Sequence, residues 1–523
     1  MKKILLYSLT LGLLLASGGC SKDYFEIERP PQTAWGTIDE FERAPIGLYA
    51  TLFNGDEWNM PWVNVTVVKT SMGDDVDWVS SAEWGYWRKT KEYNKYTDRA
   101  FLVMYRAIAT ANNALEFVEA NNGNPFPSES EQSIQHNVNR IIGELYFIRG
   151  YTYYLLETTF GHAYVAGNAN SKQDIPMPTK YPKSIAEAKN PKIGTTQEVY
   201  DLIVADFQKA KELLPEEYGD DMHPSYQVRA SKFAASAMLM RAYFQRGEYD
   251  KAKLEADFII DQNGGRYNLT EDPIAAFSTS TILTSTNRPK EIIFYLPFFD
   301  QTAKAPLHLT AINHSAGAWG LCTWVETHMS NSTIKRLGWM TDPLTDTTLN
   351  LAAKRDKRFT QLFAVRYPKD KAKEGQVIDT RTEIDTITTI WPYKYYRGPK
   401  DFNTNVPLIR LAEIYLTRSI CRFKAGDKSG AAEDLNVVRK RAWNTTVGGP
   451  YVEVTGADIT ENMIHDERLI EMFGENDRID YLRALKMDIP KGERGAGTDP
   501  YTSEDFVWAI PTRELLYNES IGQ

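Results

Sequence analysis

Apolar positions recur at helical spacing over long stretches of this chain. They fall at Phe101, Tyr105, Ile108, Leu115 and Val118, which predicts a helix over 101–118. A longer helix is predicted from Val138 to Phe160, with Gly161 as its natural stop. The segment Thr196–Leu214 opens on Thr196 and Glu198, carries Val199, Leu202, Ile203, Phe207 and Leu213, and ends before Pro215. Ser231–Arg246 reads as another helix, followed by Gly247 and a partner from Tyr249 to Ile260.

That pair returns when the sequence is displaced by 179 residues: Gly247 meets Gly426, Ala252 meets Ala431, Phe244 meets Phe423 and Ile259 meets Val438. Small residues near the turn let two antiparallel helices approach closely, a pattern that resembles the tetratricopeptide helix–turn–helix. Val138–Phe160 with Thr196–Leu214 forms another unit across a long insertion, and Ile459–Phe473 with Asp477–Leu485 a further one. No such unit buries its apolar face alone, so the units stack. The expected fold is mainly α, with tetratricopeptide-like helix pairs forming a platform over about 101–263 and 406–486. Residues 264–405 are rich in Thr, Pro and Asp and too long for a simple loop. They are expected to form an irregular, loop-rich subdomain containing small β-hairpins, with β-like runs at Glu291–Pro297 and Ile387–Tyr395.

The start of the chain has a different character. Lys2 and Lys3 precede an apolar run from Ile4 to Ala16, then Ser17, Gly18, Gly19 and Cys20. A basic start, a short apolar core and small residues before a cut mark a secretory signal peptide over 1–19. The core is shorter than the roughly 20 residues that span a bilayer. Cysteine directly after the small residues resembles the lipobox of bacterial lipoproteins, with Ser17 where leucine is commoner. Cys20 is the expected lipidation site, and 20–523 the mature single domain. The formal charge of the whole chain is −9, and loss of Lys2 and Lys3 takes it to −11. That balance argues against a nucleic-acid partner and against adhesion to anionic lipid, leaving the lipid anchor as the only membrane contact. Beyond Cys20 there are Cys322 and Cys421. Two cysteines make no disulfide framework, and Cys421 reads as a small core residue.

No catalytic signature is present: no HExxH, no GxSxG, no P-loop and no CxxC. No enzyme activity, cofactor or metal is expected. His308, His314 and His328 fit no familiar zinc spacing. Gly73-Asp74-Asp75-Val76-Asp77 lacks the later Glu of a calcium loop and reads as an acidic turn. Aromatics are abundant, with 12 Trp, 29 Tyr and 22 Phe, and two clusters fit no helical or alternating pattern. Trp78, Trp84, Tyr86 and Trp87 fall within ten residues. His314, Trp319 and Trp324 form the second, with Gly317 and Gly320 flanking Trp319. A flat ring can cover the C–H face of a sugar while neighbouring polar groups bond its hydroxyls, so these seven residues are the candidate ligand contacts.

Three longer segments carry a family resemblance. They are Pro407-Leu-Ile-Arg-Leu-Ala-Glu-Ile-Tyr-Leu-Thr-Arg418 with Gly426 and Ala432–Ala442, then Ile464–Arg483, then Trp508-Ala-Ile-Pro-Thr-Arg-Glu-Leu515. With Ala107–Ala114, and Gly143–Phe160 before Gly161, they resemble the SusD/RagB family of outer-membrane lipoproteins of Bacteroidota. Ser419 and Cys421 depart from the family's usual Ala-Glu-Ala. The resemblance implies a surface-exposed, lipid-anchored protein that binds oligosaccharide and delivers it to a SusC-like TonB-dependent transporter. It also implies ligand contacts from the two aromatic regions. The same role for peptides, and a non-catalytic protein scaffold, are the alternatives. Cys20-Ser-Lys-Asp-Tyr-Phe-Glu26 resembles the surface-export signal of such lipoproteins. The charges in these segments are Arg410, Glu413, Glu467, Arg468, Glu471, Arg478, Asp480 and Arg483. They lie beside apolar stripes and so are expected to form ion pairs that lock the repeats together.

Overall fold

Side-chain caps set the helix starts in a computed structural model of the chain, which describes residues 35–53, 65–66, 69–70, 72–78, 95–219, 224–277, 283, 286–296, 327–345, 348–366, 389–394, 405–492, 495–518 and 520–521. Thr195 accepts a bond from the Glu198 N–H, while the Glu198 carboxylate accepts from the Thr195 N–H. This reciprocal box starts a helix at Thr196. Ser231, Asp427 and Thr460 cap three further starts through the N–H groups of Ala234, Gly430 and Met463.

The longer helices are α1 (Ile38–Phe53), α2 (Lys95–Ala120), α3 (Asn139–Phe160), α4 (Thr196–Leu213), α5 (Lys232–Arg246), α6 (Tyr249–Asp261), α7 (Leu411–Lys424), α8 (Lys428–Ala442), α9 (Glu461–Met472) and α10 (Arg478–Ala484). Every helix expected from periodicity is present, with ends a few residues from their expected places. Helix α1 was not expected; it holds Pro45 in its interior, a residue that removes a helical hydrogen bond. A π-helical turn at Ile134–Val138 precedes α3. Gly161 does stop α3, but in extended backbone. A Cβ there would stand 2.6 Å from the Glu157 carboxyl carbon, so the position demands space. Gly247 and Gly426 do take left-handed backbone, with φ of 75° and 85°, and turn the chain between paired helices.

Helix α3 packs on α4, α5 on α6, and α7 on α8; α4 also lies on α5 and α6 on α7. The pairs therefore stack in series, as repeats with shared apolar faces must. Helix α9 rests on α7 and α8, and α10 on α5, so α9 and α10 lie back across earlier pairs. Arg149 on α3 bonds Asn112 on α2 at 2.9 Å and Asp206 on α4 at 2.7 and 2.8 Å, joining three helices. Ser419, one departure from the family pattern, bonds the Ala431 carbonyl between α7 and α8. Cys421 is a buried free thiol pushed up to about 12 by burial, as a core residue would be. No described helix is long and apolar enough to cross a membrane.

The strands are short, and each pairs antiparallel with one other. They are β1 (Val76–Trp78) with β5 (Thr327–Met329), β2 (Gln173–Pro176) with β3 (Ile193–Thr195), β4 (Ile292–Leu296) with β8 (Val406–Arg410), β6 (Phe363–Arg366) with β7 (Thr389–Pro392), and β9 (Ile489–Pro490) with β10 (Thr498–Asp499). Both β-like runs of the 264–405 region thus form strands. The β4–β8 ladder, buried along its length, ties that region to the start of α7. The described residues from Glu42 onward form one compact unit.

The motif charges behave largely as expected. Arg410 bonds Glu291, Glu471 and Glu475 at 2.7, 2.9 and 2.8 Å. Glu413 receives Arg241 and Arg468; Glu467 receives Arg358 and Arg439. Arg478 pairs with Asp74, and Asp480 with Lys69. Arg483 instead donates to the Gly161 carbonyl at 3.3 Å. Burial raises the Glu471 carboxyl, but Arg441, Arg410 and Arg358 outweigh it and hold it well below the usual range.

Candidate functional site

The two aromatic segments meet the described fold at one ladder. Val76, Asp77 and Trp78 run antiparallel to Met329, His328 and Thr327, so the Trp78 backbone lies opposite Thr327. The chain beyond Trp78 leads to Trp84, Tyr86 and Trp87, and the chain that enters Thr327 comes from His314, Trp319 and Trp324. In an antiparallel pair, the exit of one strand and the entry of the other share one end. Of Trp78 only the backbone is described. Trp84, Tyr86, Trp87, His314, Trp319, Trp324, Cys20 and Cys322 lie outside the described residues.

The ladder is held from three sides. The Ser330 N–H donates to the Asp75 carbonyl at 2.8 Å, and the Ser330 hydroxyl to the Asp74 carbonyl at 2.9 Å. Arg478 grips the Asp74 carboxylate with two bonds of 2.7 and 2.8 Å. Strand β5 packs on β7, where the His328 ring lies 5.7 Å from Trp391. His328 is buried, with Nδ1 on the Met329 carbonyl. The acidic run is accordingly a structural turn. Asp74 is neutralised by Arg478, while burial, then the charge of Asp74, push the Asp75 carboxyl up to about 7. Gly73 leaves room for that carboxyl, since a Cβ would stand 2.3 Å from Asp75 Oδ1. Among the described residues no group of three His, Cys, Asp or Glu is placed to hold a metal.

Two cavities escaped the sequence reading. One, of about 490 Å³, lies between α2, the Pro176–Pro182 segment and residues near Glu514. Phe101, Tyr105 and Tyr181 line it; Tyr105 donates to the Pro176 carbonyl and Asn112 to that of Pro178. The other, of about 350 Å³, is lined by Arg355, Trp443 and Tyr451 among others. Its one signal in the sequence is the pair of aromatics flanking Gly448-Gly449-Pro450, just past a helix end.

Comparison with known proteins adds to this geometry. Residues 157–519 match the model of the SusD family, and residues 47–244 match a SusD-like family described as starch-binding, associating with outer membrane. SusD-like protein P2 of Formosa agariphila is 25% identical over 557 residues, covering 100% of this chain and 99% of that protein. Solved structures share the fold. A SusD superfamily protein of Bacteroides thetaiotaomicron superposes with a TM-score of 0.70 at 21% identity, covering 92% of this chain and 98% of that one. A putative sugar binding protein of Bacteroides vulgatus superposes with a TM-score of 0.69 at 20% identity, covering 94% and 98%.

Proposed function

The chain belongs to the SusD family, and from that premise we propose that it binds oligosaccharide at the cell surface and delivers it to a SusC-like TonB-dependent transporter. In this reading Cys20 carries the lipid that holds it to the outer membrane, and the body does no chemistry on its ligand. The observation that carries the reading is the pairing of Trp78 with Thr327. Trp84 stands six residues beyond one end of that pair and Trp324 three residues before the other. At about 3.5 Å per residue, Trp84 lies at most ~21 Å and Trp324 ~11 Å from the shared ladder end, and Trp87, Trp319 and His314 at most ~32, ~28 and ~46 Å. Aromatics so tethered can serve one ligand. Trp78, Trp84, Tyr86, Trp87, His314, Trp319 and Trp324 are the proposed contacts, with rings against sugar C–H faces. The putative sugar binding protein of Bacteroides vulgatus supports the ligand class by its description.

Affinity electrophoresis against a panel of polysaccharides, with calorimetry on the retarding one, tests the proposal. Trp319→Ala should weaken binding about tenfold, ~1.4 kcal/mol, with little change in Tm. If peptides bind while every polysaccharide leaves mobility unchanged, the glycan reading is lost. A large fall in Tm with binding intact would make Trp319 a core residue.

A further inference from the structure

We propose that the cavity lined by Arg355, Trp443 and Tyr451 is a second ligand site, and that it takes a sugar unit bearing a carboxylate or sulfate ester. The sugar rests on the function proposed above; the anion rests on the charges of this cavity alone.

Four arginines line it: Arg336, Arg355, Arg358 and Arg439. Three of them have acids. Arg358 bonds Asp356 at 2.8 Å and Glu467 at 2.7 Å, Arg439 bonds Glu467 at 2.7 Å, and Arg336 faces Asp466 at 3.5 Å. Arg355 has no carboxylate partner among the described residues. Its guanidinium carbon lies 4.8 Å from the centre of the Trp443 ring. A guanidinium keeps its charge at any physiological pH, and its planar fork of N–H donors matches an oxyanion. The chain carries a net charge of −9, which disfavours anions at long range, and an unspent local cation offsets that at this cavity.

The site is also set before any ligand arrives. Trp443 Nε1–H donates to the Gly449 carbonyl at 2.9 Å, and the Trp443 backbone bridges Asp356. The Asn444 N–H donates to the Arg355 carbonyl at 2.8 Å. Gly448 fits against both side chains: a Cβ would stand 2.8 Å from the indole and 3.1 Å from Arg355 Cβ. Tyr451 meets Trp443 edge to face, with centroids 5.5 Å apart, and donates to Asn436 at 2.6 Å. Leu337, Val452 and Ile470 supply apolar wall. The two rings and the Arg355 backbone are thus held around about 350 Å³, within the range of small-ligand pockets, with the guanidinium resting on the Trp443 ring. Groups fixed in advance lose little freedom on binding.

Calorimetry on the chain with three tetrasaccharides tests this: tetragalacturonate, a sulfated carrageenan tetrasaccharide and neutral maltotetraose. At least one acidic probe should bind, more weakly as salt rises. Arg355→Met should weaken that probe tenfold or more. Val452 is 81% exposed, so Val452→Asp tests the same field without touching a packed side chain and should weaken the same probe several-fold. Binding of tetragalacturonate alone assigns a carboxylate, and of the carrageenan probe alone a sulfate ester. Failure of both acidic probes on the unmodified chain overturns the proposal. So does an affinity that both variants leave unchanged. If maltotetraose or another neutral glycan binds while the acidic probes do not, this site falls and the glycan function stands.

Discussion

Asp75 sits beside an acid that has already taken the nearest arginine. Asp74 holds both Arg478 bonds, and burial with the Asp74 charge leaves Asp75 titrating near 7, against 3.8 in an open chain; Arg478 and Arg336 face it without offsetting this. Between those values the unfolded chain has released a proton that the native chain keeps. Stability therefore falls as pH rises from about 4 to about 7 and levels off above, by at most ~4 kcal/mol. Asp75→Asn keeps the shape and removes the ionisation. Its Tm should exceed that of the parent at pH 8, with the gap closing toward pH 4; scanning fluorimetry across that range measures it. A gap of equal size at every pH would show that Asp75 is not the titrating group. The acidic turn was legible in the run from Gly73 to Asp77. Which acid is paired was not, because Arg478 lies 404 residues away in sequence.

Helices α3 and α4 meet through glycine. A Cβ on Gly143 would stand 3.0 Å from Leu214, and one on Gly150 would stand 3.1 Å from Asp206 Cβ and 3.2 Å from the Phe207 ring. Gly150→Leu should drive the helices apart and strain the Arg149–Asp206 bonds, costing ~2–4 kcal/mol. Gly150→Ala should cost less, since its neighbours need move by only tenths of an ångström. Urea unfolding followed by circular dichroism reads both; an unchanged midpoint for Gly150→Leu would mean that the interface is looser than its geometry. Helices were readable because period, cap and turn glycine all act within a few residues. The β1–β5 ladder was not, since the Asp74 and Ser330 that flank it are 256 residues apart. The same contrast governs the site. Aromatic clusters announce themselves locally, whereas the cavity beside Arg355 is assembled from α8, α9 and a segment far upstream.

The displacement by 179 residues identified the helix pairs as copies, but nothing periodic says how the 264–405 region attaches to them. Arg410 supplies much of that attachment. It stands at the end of β8 and reaches Glu291 beside β4, Glu471 on α9 and Glu475 just beyond it. Glu475 also takes Lys394, which follows β7, and Glu471 takes Arg441 from α8 and Arg358. The side chains involved are almost wholly buried, so each charge depends on its partners. Exchanging the whole network for apolar groups could be neutral; removing one member is not, because its partners stay buried and charged. Arg410→Met should cost ~3–5 kcal/mol. It should also uncouple two signals that move together in the parent chain. Trp339 and Trp391 are buried within the described part of the 264–405 region, while the helix pairs dominate the far-ultraviolet dichroism. In urea, tryptophan fluorescence of the variant should change before helical ellipticity does. Adding Glu475→Gln should deepen the loss, because it also leaves the buried Lys394 without its carboxylate. If Arg410→Met unfolds within about 1 kcal/mol of the parent, with both signals coincident, the attachment lies in the β4–β8 ladder and its apolar packing, and Arg410 is incidental to it.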